Sequence, residues 1–309
     1  MARWLLARLG RAALTVVAAA LALFLLVRLA PGDPALLVCG EGASPEEIAE
    51  TRARLGLDRP WSAQLGDWAA SVLDGSLGRS FRRPDRTVAS LLAEALGPTS
   101  VLALAALAVG WGLGLPLGLL AAVRRGTAVD RAATSLATLG LALPNIVLGP
   151  LLVLLFGVVL RLAPLPGDAP DTFAALVLPA VTVGTALAAL VARHGRAAVG
   201  ATLLEPFVQA ARARGASPLR TLLRHGLRPS LLPLVTVAAS QLGALLSGTV
   251  VAERIFERPG LGTLMVSAFR DRDLPLLQGS ALLVAGIYVL VHLALDVLYG
   301  VLDPRVRRA

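Results

Sequence analysis

The chain has 309 residues, 56% of them hydrophobic and 16% charged. A soluble domain is nearer to about 45–50% apolar and 25% charged, so several membrane spans are expected. The formal net charge is +9 and all 29 basic side chains are Arg, which excludes a Walker-type phosphate loop and lysine-based covalent catalysis. Cys39 is the single cysteine, so neither an internal disulfide nor a cysteine metal cluster is available. Basic chains also bind nucleic acid. Here the Arg residues flank apolar segments, so the expected partner is a lipid bilayer and not nucleic acid.

Arg3, Arg8 and Arg11 precede an apolar run over residues 12–27. A charged start and an apolar core also describe a signal peptide, but a retained first span is the simpler reading because five more apolar segments follow. Arg28 closes the run, where its head can snorkel to the interface, and Pro31 and Pro34 stop the helix. Residues 32–97 differ in kind, being rich in acids and turn signals. They are expected to form an extracytoplasmic segment with short helices. One should begin at Ser44 as N-cap, with Pro45 at its first position and Glu47 completing a capping box. The remaining spans are expected at 98–120, 132–160, 173–192, 231–252 and 277–300, each meeting the roughly 20-residue requirement. Gly110, Gly112, Gly114, Pro116, Gly118, Pro144, Pro150, Gly243 and Gly248 lie inside them. Such residues serve either close helix packing or bending along a pathway.

Six spans place both termini on one side, and charge selects the side. The termini and the loops near 121–131 and 193–230 hold 16 Arg against three acids, whereas the opposite side holds 12 Arg against 16 acids. The N- and C-termini are therefore expected in the cytoplasm.

The loop at about 203–229 contains the most informative stretch, QAARARGASPLRTLLRHGLRPSLLP at 209–233. Leu203, Leu204, Phe207, Val208 and Ala211 share one helical face by spacing. Arg212 and Arg214 suit a helix C-terminus, and Gly215 is placed for a left-handed cap. Ser217 can cap a second helix with Pro218 at its first position, and Leu219, Leu222, Leu223 and Leu227 form its apolar stripe. Two short amphipathic helices at a sharp corner fit either a docking surface or an element resting on headgroups.

The same loop resembles the EAA loop of bacterial ABC-transporter permeases, with Gln209 in place of the first Glu, then Ala210, Ala211 and Gly215 in register. RLAPGDP at 28–34, LGLDRP at 55–60, GSLGRSF at 75–81, LPNIVLG at 143–149, VVAERIFERPGLG at 250–262, RDLPLLQG at 272–279 and DVLYGVLDPR at 296–305 are similar, in order, to the dipeptide/oligopeptide/nickel branch of that family. The resemblance implies an all-α membrane protein with six transmembrane helices and the type I ABC-importer permease fold. It divides the chain into residues 1–94, the first helix plus the extracytoplasmic segment, and 95–309, the core permease domain. It implies a bacterial inner-membrane location and a permease subunit of an ATP-driven, binding-protein-dependent importer of di- or oligopeptides, or alternatively of nickel or another small solute. Implied partners are a second homologous permease chain, two ATPase subunits and an extracytoplasmic substrate-binding protein. ATP and Mg belong to the ATPase subunits, and no cofactor is expected on this chain. Gln209, Ala210, Ala211, Arg212, Arg214, Gly215, Ala216 and Ser217 are then the ATPase-coupling residues, with Arg212 and Arg214 facing either partner acids or lipid headgroups. Glu253 and Glu257 flank span five and are candidates for an outer gate or a binding-protein contact, against a plain solvated pair.

No catalytic residue is expected. His194, His225 and His292 have no metal-site spacing, and a nucleophile–base pair of a membrane enzyme is not found. Asp296 lies four residues after His292, on the same helical face, near the end of the last span. A hydrogen-bonding structural role is expected for it, and a secondary transporter driven by protons would want several such carboxylates near mid-membrane.

Overall fold

The structure is a computed structural model that describes residues 2–29, 33–40, 42–170 and 172–302. Pro31 and the end of the 296–305 motif lie outside the described residues. Within them the chain is helical. In order, the helices are α1 (Ala2–Leu29), α2 (Pro34–Cys39), α3 (Pro45–Arg54), α4 (Trp61–Leu73), α5 (Val88–Val123), α6 (Ala128–Ala142), α7 (Asn145–Leu152), α8 (Phe173–Thr202), α9 (Pro206–Ala213), α10 (Pro218–Arg220), α11 (Arg228–Ser240), α12 (Leu242–Ile255), α13 (Leu261–Arg270) and α14 (Leu274–Leu302). Wider π-helical turns extend α7 over Val153–Val159 and join α10 to α11 over Thr221–Leu227.

Among the described residues, four helices are individually long and apolar enough to cross a membrane: α1, α5, α8 and α14. The span expected at 132–160 is instead a pair, α6 and α7, bent by 102°. Pro144 sits at the break with φ −63° and ψ 143°, a backbone that ends a helix rather than continuing it. The span expected at 231–252 is divided at Gln241 into α11 and α12, of 13 and 14 residues. The sequence pattern reads both segments as apolar and long enough, because periodicity registers neither the change of helix direction at Pro144 nor the break at Gln241.

The helices fall into two compact units. One contains residues 1–99 and 259–309. In it α1 packs along α14, and Phe24, Trp68 and Leu282 form a small core. Arg8 forms an ion pair with Asp296. His292, on the same face, bonds the Tyr288 carbonyl at 3.0 Å. α3 has the anticipated capping box, with Ser44 and Glu47 exchanging hydrogen bonds of 2.8 and 3.2 Å. Asp273 is buried and caps α14 through the Leu276 N–H at 3.2 Å. The same carboxylate accepts the Ser80 hydroxyl and the Phe81 N–H, so the turn after α4 is fastened to the start of the last helix.

The other unit contains residues 100–258. Its core is Leu102, Ala106, Leu178, Val183, Leu187, Val191, Leu245 and Phe256. α5 and α8 meet there backbone to backbone. A Cβ at Gly118 would lie 2.6 Å from the Ala192 carbonyl oxygen, one at Gly184 2.8 Å from the Ala106 oxygen, and one at Gly110 2.6 Å from the Leu187 side chain. Gly114 meets Ala188 in the same way. Close packing is therefore the role of Gly110, Gly114 and Gly118, spaced every four residues along one face. Gly112, on the other face, has open space beside it. Gly118→Ala is expected to destabilise by about 1–3 kcal/mol through overpacking against backbone, lowering the thermal midpoint of the detergent-solubilised chain. Gly112→Ala should leave that midpoint unchanged or raise it.

Candidate functional site

The 203–229 loop folds as two short helices around a glycine corner. The first, α9, begins only at Pro206, because residues 203–205 form a turn with the Glu205 N–H donating to the Thr202 carbonyl. It ends at Arg214. The Gly215 N–H then bonds the Arg212 carbonyl at 2.9 Å and the Ala216 N–H bonds the Ala211 carbonyl at 3.1 Å. With Gly215 at φ +82°, this is a complete Schellman cap. Ser217 accepts from the Arg220 N–H, and Pro218 occupies the first position of the next helix. The corner is set by local backbone chemistry alone, which is why residue types and spacing reveal it.

Burial divides the first apolar stripe. Val208 is fully buried and Ala211 nearly so, whereas Leu204 and Phe207 are 67% and 48% exposed. Val208 packs with Ala122 at the end of α5 and with Val199 and Leu203 at the end of α8, and Leu119, Leu222 and Leu227 close around them. Leu219 and Leu223 of the second stripe are exposed. One half of the loop is thus an anchor and the other half an uncovered apolar surface. The Gln209 amide donates to the Leu203 carbonyl at 3.2 Å, a tether from α9 to α8 that needs no charge at 209. Beside the corner lies a hollow of about 320 Å³ lined by Arg214, Arg220, Arg224 and His225. Arg212 is exposed on the last turn of α9.

The elements under the loop are braced. Arg196 on α8 grips Asp130 on α6 with two hydrogen bonds, 2.5 Å from Nε and 2.9 Å from Nη2. Asp130 is buried and also accepts the Gly126 N–H at 2.9 Å. Thr202 and Ser230 share a hydroxyl hydrogen bond of 3.0 Å between α8 and α11. Sequence reasoning counted Asp130 and Arg196 only as loop charges. The available signal was local: Thr127 precedes Asp130 by three residues and caps α6, so the carboxylate belonged to a helix start.

Glu253 and Glu257 are not alike. Glu253 is buried on α12, whereas Glu257 is exposed, with φ +49°, a conformation uncommon for a non-glycine residue. The turn that carries Glu257 is fixed by Arg258, whose Nη1 donates to the Pro170 carbonyl, and by the Gly167 N–H to the Phe256 carbonyl at 3.3 Å. Among the described residues no group of three metal-ligating side chains comes together.

The chain combines helices long and apolar enough to cross a membrane with a braced helix–glycine–helix loop. The chain belongs to the family described as the binding-protein-dependent transport system inner membrane component, whose model matches residues 114–308, with the family's N-terminal model matching residues 1–97. It is a membrane subunit without catalytic activity of its own, and ATP hydrolysis lies in separate subunits. It is 37% identical to the glutathione transport system permease protein GsiC of Salmonella typhimurium, over 99% of both chains. It is 36% identical to the "Probable peptide ABC transporter permease protein y4tP" of Sinorhizobium fredii, over 92% of this chain and 93% of the relative. Its fold is similar to a solved inward-facing MetNI methionine ABC transporter, with TM-score 0.57 at 21% identity, covering 69% of this chain and 96% of that one.

Arg196→Ala strands a buried carboxylate and is expected to cost about 2 kcal/mol, less than a fully buried pair because the Arg196 side chain is 36% exposed. Arg196→Lys should recover part of this, since an ammonium lacks the two-pronged geometry. Thermal unfolding of the purified chain checks both. Equal midpoints for wild type and Arg196→Ala would show that the pair braces nothing.

Proposed function

We propose that the chain is a permease subunit of an ATP-driven importer of peptides, and that the 203–229 loop receives motion from a separate ATPase subunit. The observation that carries this is the division of the loop: Val208 is seated on the ends of α5 and α8 and Ala211 is buried, while Leu204, Phe207, Leu219 and Leu223 are left uncovered. The uncovered residues suit a protein groove. The buried ones pass a push on the loop directly into two spans. Gln209, Ala210, Ala211, Arg212, Arg214, Gly215, Ala216 and Ser217 form this coupling element, and Arg212 and Arg214 meet acidic residues of the ATPase. Peptide cargo is supported by what the relatives are named for, peptides and glutathione. Glu253 and Glu257 bracket the turn at the end of α12, a fitting place for an outer gate or a binding-protein contact.

The working assembly in this proposal pairs the chain with a second permease, two ATPase subunits and a substrate-binding protein. Residues 1–94 supply the first helix and the outer segment, and 95–309 the transport core. The bent pair α6–α7 and the divided pair α11–α12 each act as one span, giving six. The Arg asymmetry supports a cytoplasmic position for both termini. Single cysteines in a Cys39→Ala background test this. Ser44→Cys and Asp74→Cys should react with an impermeant thiol reagent in intact cells, and Ala128→Cys and Ser217→Cys only after permeabilisation. Labelling of residue 217 from outside would reverse the orientation.

Coupling is tested in the reconstituted complex with its binding protein, by peptide-stimulated ATP hydrolysis and peptide uptake. Gly215→Trp is expected to abolish both while the chain remains in the membrane. Gly215→Ala should be milder: a Cβ there meets no atom within 4 Å, so only the left-handed backbone is penalised, by roughly 1 kcal/mol. A loop that merely rested on headgroups would tolerate Trp, which favours that interface. Uptake by Gly215→Trp near the wild-type rate, with the ATPase retained, would remove the loop from the mechanism.

A further inference from the structure

α1 and α14 pack along one another, with Arg8 meeting Asp296 at one end of the pair and Arg28 and Leu274 lining one hollow at the other. Both helices are long and apolar enough to be spans, over Leu6–Leu29 and Leu274–Val297. The hollow therefore lies where two spans end, at the depth of the lipid headgroups. It has a volume of about 180 Å³, and its lining includes Asp33, Arg52, Trp61, Gln64 and Arg272. Its charges do not balance. Arg52 is compensated by Asp33 and, at 3.8 Å, by Asp58. Among the described residues no carboxylate pairs with Arg28 or Arg272. Both of these Arg residues are partly exposed, and Trp61 is 52% exposed. Both are also held in place. Arg28 Nε donates to the Gln64 amide oxygen at 3.1 Å and Nη1 to the Phe24 carbonyl at 3.4 Å, which leaves three of the five N–H groups of a guanidinium. Gln64 is fixed in turn, its Nε2 donating to the Leu57 and Arg59 carbonyls. Arg272 has φ +52°, a backbone that persists only where the surroundings over-determine it. The next residue does so: the Asp273 N–H bonds the Ala268 carbonyl at 3.0 Å, and its buried carboxylate accepts from Ser80 and the Leu276 N–H.

We propose that this hollow binds the headgroup of an anionic phospholipid of the phosphatidylglycerol class, with its phosphate on Arg28 and Arg272. Guanidinium groups take phosphate oxygens two at a time, through hydrogen bonds about twice as strong as neutral ones. Two uncompensated cations favour a glycerol headgroup over a choline one, which would set a third positive charge beside them. The rest of the lipid has a place as well. Leu21 and Leu25 precede Arg28 by seven and three residues, so they share its face of α1, and both are exposed. An acyl chain lying on them continues from a phosphate held at Arg28. Trp61 at the rim has the amphipathic ring that suits the membrane interface. A free phosphate would gain from the two Arg residues and nothing from the leucines, and this is what selects a lipid. A lipid so held bridges the end of α1 and the turn before α14. The site lies away from the coupling loop and depends neither on the cargo nor on the ATPase.

The test uses the full chain in detergent, titrated with phosphatidylglycerol or phosphatidylcholine of identical acyl chains and read by native mass spectrometry. The first phosphatidylglycerol is expected to bind more tightly than the first phosphatidylcholine. Arg28→Gln and Arg272→Gln should each weaken its apparent Kd roughly fivefold, as fits one Arg at an anionic lipid surface. Arg272→Lys should fall between wild type and Arg272→Gln, since an ammonium keeps the charge and loses the fork. Arg272→Gln leaves the end of the first span intact and serves if the Arg28 variant does not insert. Arg124→Gln, at an exposed position outside the hollow, should leave the Kd unchanged, and millimolar inorganic phosphate should not displace the lipid. Equal affinity for the two lipids, a wild-type Kd in Arg272→Gln, or the same loss in Arg124→Gln overturns the proposal. Displacement by inorganic phosphate overturns it too, by assigning the hollow to a soluble anion.

Discussion

The contact between the backbones of α5 and α8 is the constraint on which the transport core depends. In a bilayer there is no hydrophobic drive between helices, so association rests on close packing. Gly110, Gly114 and Gly118 place nothing between the two helices, and Gly184 answers from the other side. Two helices in such contact cannot slide or separate by small steps without losing many contacts together. They therefore behave as one stiff member, and the ends of that member, Ala122, Val199 and Leu203, form the seat of Val208.

In the proposed coupling, that seat is what connects a loop of two short helices to the spans. The Schellman cap at Gly215 fixes the corner, the Gln209 amide ties α9 to α8, and the Arg196–Asp130 clamp holds α6 to α8. The membership of the chain in the binding-protein-dependent permease family gives this stiffness a purpose, since the motor belongs to other subunits. The irregular backbone includes the 102° bend before Asn145, the break at Gln241 and the two π-helical turns.

The sequence was most legible where a few neighbouring residues decide the backbone. The Ser44–Glu47 capping box, the Ser217 cap and the glycine corner at 215 all follow from contacts within six residues. The helical class and most span positions follow from composition and length. Three features were not legible for a shared reason. The Arg196–Asp130 clamp, the Ser80–Asp273 latch and the Thr202–Ser230 hydrogen bond join residues far apart in the chain, and no periodicity marks such pairs. The α9 stripe shows the same limit: spacing places Leu204 and Val208 on one face, but only the arrival of α5 and the second loop helix decides which is covered. The break at Pro144 was visible as a residue, not as an angle.

The compact unit formed by residues 1–99 and 259–309 has a consequence for the order of synthesis. Its two halves are separated in the chain by residues 100–258 and are made at different times. Arg8 is in place long before Asp296 exists, and Ser80 has no carboxylate to meet until Asp273 emerges. Residues 100–258, by contrast, are continuous and can be complete while the ribosome is still working. Domains generally fold as units, the N-terminal part first, but here the earliest helix must wait for the last one. Until α14 is made, α1 lacks the helix along which it packs.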